Sequence, residues 1–378
     1  MAKQHWQIWR VVGAVCWFLA ACGPALGQAT EPEPAASAVT VEASGATPRA
    51  LVVRAPRVIG RVQASALGLV INTADPYSVD VGEYYRRARQ IPSSQVLRID
   101  LPVQARLSVA DLERLRRRID EHFDDRVQAL ALAWTQPYAV DCQSITAAVT
   151  LGFDAQYCLQ ACGRGATSPL FNSATSAPFK DLGLRPSMLL AARDTEQARR
   201  LIDRGVAADR TLGKVGAAPV QAHFMVSSDK LRNVRTPLFP PAGLQRRLGL
   251  ENVVGRGDLP RDTTRVVLVQ TGVAQFQGAQ DIDWVPGALA DHLTSFGGQT
   301  DRAGGQSTVL DWLEAGATAS HGTVSEPCNH LQKFPHPQLL LLHYLQGSSA
   351  LEAYWKSVAW PRQGLFVGEP LAAPFSRQ

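Results

Sequence analysis

Residues 127–134, VQALALAW, form an apolar run broken by a single amide. Such a run, without polar alternation, suits a strand covered on both faces, as in a parallel sheet between helix layers. Its neighbours repeat the theme. ALGLVIN (66–72) is another apolar run with a β-branched centre, and the segment after it places Ser78 as the cap of a helix to about Arg89. SQVLRIDLP returns as a short strand. SVADLERLRRRIDEHF (108–123) then sets Leu112, Leu115, Ile119 and Phe123 on one helical face, with Ser108 as cap and Asp111 in the first turn. Strand, helix, strand, helix, strand over residues 66–134 predicts an α/β protein. Its sheet should be mostly parallel and flanked by helices, with right-handed crossovers.

Later segments continue the alternation. PSMLLAARD, PVQAHFMVSSD, RVVLVQTGV and GLFVGEP read as strands, and TEQARRLIDRGVAA as a helix capped by Asp194. STVLDWLEAGATAS reads as a capped helix running into a small-residue strand, and PQLLLLHYLQGSSALEAYWKSVA as two helices divided at Gly347. Between 135 and 180 the pattern dissolves into Gly, Ser, Thr and Pro, which predicts a loop-rich insertion lining a cleft. Residues 51–378 are thus the α/β body, with a division into two subdomains expected near 240–262.

The first residues are a targeting segment. Lys3 and Arg10 flank VVGAVCWFLAA (11–21), too short an apolar run to span a bilayer comfortably. Two processing sites compete: LAAC (19–22), a lipobox that would lipidate Cys22, and GQA (27–29), which would release a soluble product. Residues 1–29 therefore read as a signal peptide and 30–50 as a linker, rich in Pro, Ala, Ser and Thr. Export to the periplasm or cell envelope follows. Membrane contact is expected only through a lipid on Cys22, and exported or surface proteins are the expected partners. The net charge of +5, with no run of five basic residues, gives nucleic-acid binding no support.

Export favours disulfides. Cys142, Cys158 and Cys162 share one loop-rich stretch, so one bridge among them is expected, leaving Cys328 without an evident partner. Cys328 lies in SHGTVSEPCNH (320–330), which is dense in reactive types. As a nucleophile, Cys328 would need a base such as His321 or His292, with Glu326 beside it. As ligands, Asp283, His292, His321 and His330 form a set that zinc would accept, although their spacing matches no established motif and nothing in the sequence requires a cofactor. Asp281, Asp283 and Trp284 read either as acid/base groups or as a solvated turn.

The blocks LGLVINTADPYSVDVGEYYRRARQIP, WVPGALADHLTSFGG, LEAGATASHGTVSEPCN and GLFVGEPLAAPF resemble an uncharacterised exported bacterial family found in species that carry exosortase-type sorting systems. The C-terminal third also resembles gingipain-type and caspase-like peptidase domains. There, EAGATASHGTVSEP precedes the helix pair, and GEP (368–370) stands where a Gly-Asp-Pro-like element closes the sheet. That resemblance implies a catalytic His-Gly after one parallel strand and a Cys after the next. The corresponding positions hold Thr271-Gly272 and, in ADHLTSFGG, His292 and Ser295. His321 and Cys328 lie too close in sequence for a parallel crossover between them. The resemblance therefore implies a caspase-like fold whose usual dyad is lost or rebuilt.

Overall fold

The first βα unit is tied together at a buried amide. In the computed structural model, which describes residues 53–377 apart from 161, 215 and 303, Asn72 ends strand β1 (Leu67–Asn72). Its side chain receives the amide of Leu101 at 2.9 Å and donates to the Leu101 carbonyl at 3.1 Å. The following helix, α1 (Pro76–Ala88), is capped by Asp75, whose carboxylate accepts from Tyr77 N. Ser78 is therefore not the cap. It sits inside the helix, buried, with its hydroxyl accepting the backbone N–H of Asn72 at 2.7 Å. The expected signal peptide, the lipobox at Cys22 and the linker over 30–50 lie outside the described residues.

The chain continues through β2 (Val96–Ile99), α2 (Val109–His122) and β3 (Ala129–Leu132). Ser108 caps α2, with Asp111 in its first turn, as its sequence predicts. Next come a small hairpin, β4 (Ala139–Val140) and β5 (Gln143–Ser144), and helices α3 (Ile145–Leu151), α4 (Gln156–Leu159) and α5 (Pro178–Leu182). Then follow β6 (Ser187–Leu189), α6 (Thr195–Ala208), β7 (Val220–Val226), β8 (Gly243–Gln245), β9 (Leu250–Arg256), β10 (Val266–Thr271) and β11 (Trp284–His292). The last elements are α7 (Val309–Ala315), β12 (Ala319–Thr323), α8 (Pro337–Leu345), α9 (Ala350–Ser357) and β13 (Gly364–Gly368).

Among the described residues, eleven strands form one sheet in the order β2-β1-β3-β6-β13-β12-β11-β10-β7-β9-β8. All neighbours are parallel except β12–β13 and β8–β9. The sheet is thus two parallel halves of opposite direction, joined where β13 returns between β6 and β12. The described residues fall in one compact unit. β9 lies within residues 240–262 and pairs with β7 along seven positions, so that segment is part of the sheet and not a boundary between subdomains.

The insertion holds more order than its composition suggests. Residues 145–150 of α3 are all buried, and the helix packs against β6 and β13. The closing GEP element is structural. Glu369 is fully buried and accepts from the Tyr85 hydroxyl at 2.6 Å and from Arg89 Nε at 2.9 Å. Gly205 admits it, since a Cβ there would sit 2.5 Å from the Glu369 side chain.

Candidate functional site: the carboxyl edge of strands β10 to β12

In open α/β sheets, ligands gather at the carboxyl ends of parallel strands. Here β10, β11 and β12 run side by side, with Thr271 opposite His292 and Asp291 opposite His321. Beneath this edge lies a buried ion pair. Arg235 donates to Asp291 Oδ1 at 2.5 Å, to the Thr271 carbonyl at 2.8 Å and to the Pro335 carbonyl at 3.3 Å. Gln270 donates to the other Asp291 oxygen at 2.7 Å. Burial raises the Asp291 carboxyl, and the charge of Arg235 with the bond from Gln270 pulls it back. Two desolvated charges this well bonded tie the ends of β10 and β11 to the segment before α8.

His292 is fully buried and both ring nitrogens are engaged. The Trp312 indole N–H donates to Nδ1 at 2.9 Å, so Nε2 carries the proton and donates to the Ser307 carbonyl at 2.9 Å. Phe276 stacks on Trp312 at 3.9 Å and meets His292 edge-on at 5.2 Å. Burial pushes the His292 pKa down to about 4. A ring whose nitrogens are both committed cannot serve as base to Ser295 or to any thiol.

His321 occupies the opposite face. Successive strand residues alternate faces, so His321, level with Asp291, points away from His292. Its ring lies 5.2 Å from Phe366 and 6.2 Å from Phe334, and neither nitrogen has a hydrogen-bond partner. Gly364 makes the room, because a Cβ there would sit 2.3 Å from Nε2. Burial, with lesser contributions from Arg235 and His292, pushes the His321 pKa down to about 3.

The remaining candidates separate further. Cys328 is bonded to Cys162, and Cys142 to Cys158. The expected local bridge is present, whereas Cys328, read as a nucleophile or an unpartnered thiol, has no thiol at all. Glu326 receives the Cys328 backbone N–H at 2.8 Å. His330 bonds the Cys162 carbonyl at 2.8 Å and packs on Trp360. Asp283 precedes β11 and accepts the Arg265 amide at 2.8 Å. At roughly 3.3 Å per residue, the nine-residue strand places it at the far edge from His292. The His292, His321, Glu326, Cys328 cluster and the Asp283, His292, His321, His330 set are therefore not assembled. Among the described residues no group of three or more His, Cys, Asp or Glu side chains is placed to hold a metal ion.

Sequence reasoning missed Arg235 and Asp291. A carboxylate inside the apolar run GALADH was a signal, since a buried acid demands a partner. Nothing local pointed to an arginine 56 residues away.

No family model matches the chain, and no curated protein matches it. Among solved structures, the Arg-specific cysteine proteinase gingipain R is similar at 9% identity, covering 82% of this chain and 78% of that one, with a TM-score of 0.44. A structure described only as a protease is similar at 10% identity, with the same coverages and a TM-score of 0.42. A complex of the pro- and mature domains of the Porphyromonas gingivalis enzyme is similar at 11% identity, covering 83% and 80%, with a TM-score of 0.38.

Proposed function

We propose that the protein is an exported envelope protein with a caspase-like arrangement and no peptidase dyad. It acts as a binding or accessory factor in envelope biogenesis or surface-protein handling. The observation that carries this reading is the content of the two adjacent strand ends. A cysteine peptidase needs a thiol and a free base in contact there. The end of β10 offers Thr271-Gly272, where a Cβ on Gly272 would lie 2.0 Å from the Arg232 carbonyl oxygen. The end of β11 offers a histidine with both nitrogens committed. The two disulfides support an oxidising compartment, in keeping with the leader at residues 1–29. Lipidation at Cys22 would tether the protein, and exported or surface proteins are its partners.

The test is cleavage of a peptide library by purified protein, oxidised and then reduced, with and without a thiol blocker. No cleavage is expected in any arm. Blocker-sensitive cleavage that disappears in Cys328→Ala would replace this reading with the rival one, a thiol-dependent hydrolase.

A further inference from the structure

A cavity of about 610 Å³ opens beside α7, between the crossover that joins β10 to β11 and the loop that joins β11 to α7. It falls within the roughly 300–1,000 Å³ of small-ligand pockets. One wall is the run QFQGAQ (275–280), three glutamines around a phenylalanine.

This wall is held from behind. Ser307 N donates to the Ala274 carbonyl at 2.9 Å, and Phe276 N donates to the Ser307 hydroxyl at 3.1 Å. Ala279 is buried, and its carbonyl accepts the Trp284 indole N–H at 3.0 Å. Phe276 is half-buried, with its ring stacked on Trp312 at 3.9 Å. Among these anchors Gln275, Gln277 and Gln280 stand exposed, and their carboxamides have no hydrogen-bond partner among the described residues. A fourth carboxamide, Gln306, is set by the Phe296 N–H, which donates to its Oε1 at 2.8 Å.

The charges of the lining cancel. Arg193 pairs with Asp311 and, at 2.8 Å, with Glu314. Arg302 donates to Gln299 Oε1 at 3.1 Å and lies 4.9 Å from the centre of the Phe296 ring. Two guanidiniums against two carboxylates leave no net charge to draw an ion. What remains is a set of carboxamides beside a phenyl ring. A carboxamide both donates and accepts, as a hydroxyl does. A phenyl ring covers the apolar C–H face of a sugar. A peptide suits the place less well, since β10 and β11 are paired on both sides and no strand edge is open to extend one.

We propose that this cavity binds a neutral oligosaccharide, with Phe276 against one sugar ring and Gln275, Gln277 and Gln280 bonded to its hydroxyls. The assignment names a ligand for the binding reading above and rests on it.

The experiment is isothermal titration calorimetry on the full chain with maltotriose, cellotriose, mannotriose and chitotriose. Trigalacturonate, the cationic glucosamine trimer and a capped Ala-Gln-Ala peptide serve as comparators. At least one neutral sugar is expected to bind saturably, with a Kd of roughly 1 mM or below and roughly tenfold tighter than any comparator. The double variant Gln275→Ala, Gln277→Ala removes two exposed, unbonded side chains. It should weaken the sugar roughly tenfold through two lost hydrogen bonds and leave the melting temperature unchanged. No saturable binding of any neutral sugar, equal or tighter binding of a comparator, or full affinity in the double variant would each overturn the proposal. The cleavage assay separates this failure from the other. A protein that binds no sugar and cleaves no peptide loses this ligand and keeps the accessory-factor reading, whereas cleavage removes that reading whatever the sugars do.

Discussion

Trp312 donates its indole N–H to Nδ1 of His292 across 2.9 Å, and so decides which nitrogen of a buried imidazole carries the proton. The histidine at the sheet's carboxyl edge is thereby a cross-link between β11, α7 and the Ser307 carbonyl. Its chemistry is spent on structure.

That role has a pH signature. The His292 pKa is about 4 in the folded protein, lowered by burial from an ordinary 6.5. The unfolded chain therefore binds the proton first. Stability from this residue is complete above about pH 6.5 and is lost as pH falls towards 4, by roughly 3 kcal/mol. Urea midpoints measured from pH 7.5 to 4 should decline through that window. In His292→Leu the decline should be shallower. At pH 7 the same variant should lose about 2–5 kcal/mol, because the Trp312 N–H and the Ser307 carbonyl are left unpaired. An unchanged pH slope would show that His292 is not held neutral.

Substitution of His321 should have the opposite effect. It is equally buried but neither nitrogen is bonded, and its neighbours are Phe334 and Phe366. Replacing an unsatisfied ring by an apolar side chain removes a desolvation cost of about 1–3 kcal/mol. His321→Leu is expected to be neutral or stabilising in chemical denaturation at pH 7. A loss above about 2 kcal/mol would mean that the ring has a partner essential to the fold.

The Arg235–Asp291 pair calls for a double-mutant cycle. Asp291→Leu alone leaves a buried guanidinium and should cost about 3–5 kcal/mol, as should Arg235→Met alone. The double variant should recover much of that loss, giving a coupling of a few kcal/mol. Additive losses in denaturant melts would show that the two charges do not depend on one another.

Much of the architecture was legible in the sequence because it follows from periodicity. Strand β3, within the apolar run at 127–134, and helix α2 announce themselves through continuous burial and an amphipathic face. Helix α3 did not, because ITAAVTL is buried nearly all round and carries no polar stripe to mark its period. Strand β9 was hidden among Gly, Arg and Pro, and only its pairing with β7 reveals it. The site was less legible still. SHGTVSEPCNH brings reactive types together along the chain, yet the sheet sends His321 to one face and His292 to the other. Cys328 finds its partner 166 residues away. One-dimensional density of reactive residues says little when alternation along a strand decides which of them can meet.

If this edge carries no thiol chemistry, Cys328 must be closed to reagents in the native protein. Folded, unreduced protein should be treated with iodoacetamide, digested and mapped by mass spectrometry, with the peptide-library assay run on the same sample. Cys328 is expected linked to Cys162 and Cys142 to Cys158, with no library peptide cleaved. An alkylated Cys328 in the native protein, with cleavage that the alkylation abolishes, would contradict it.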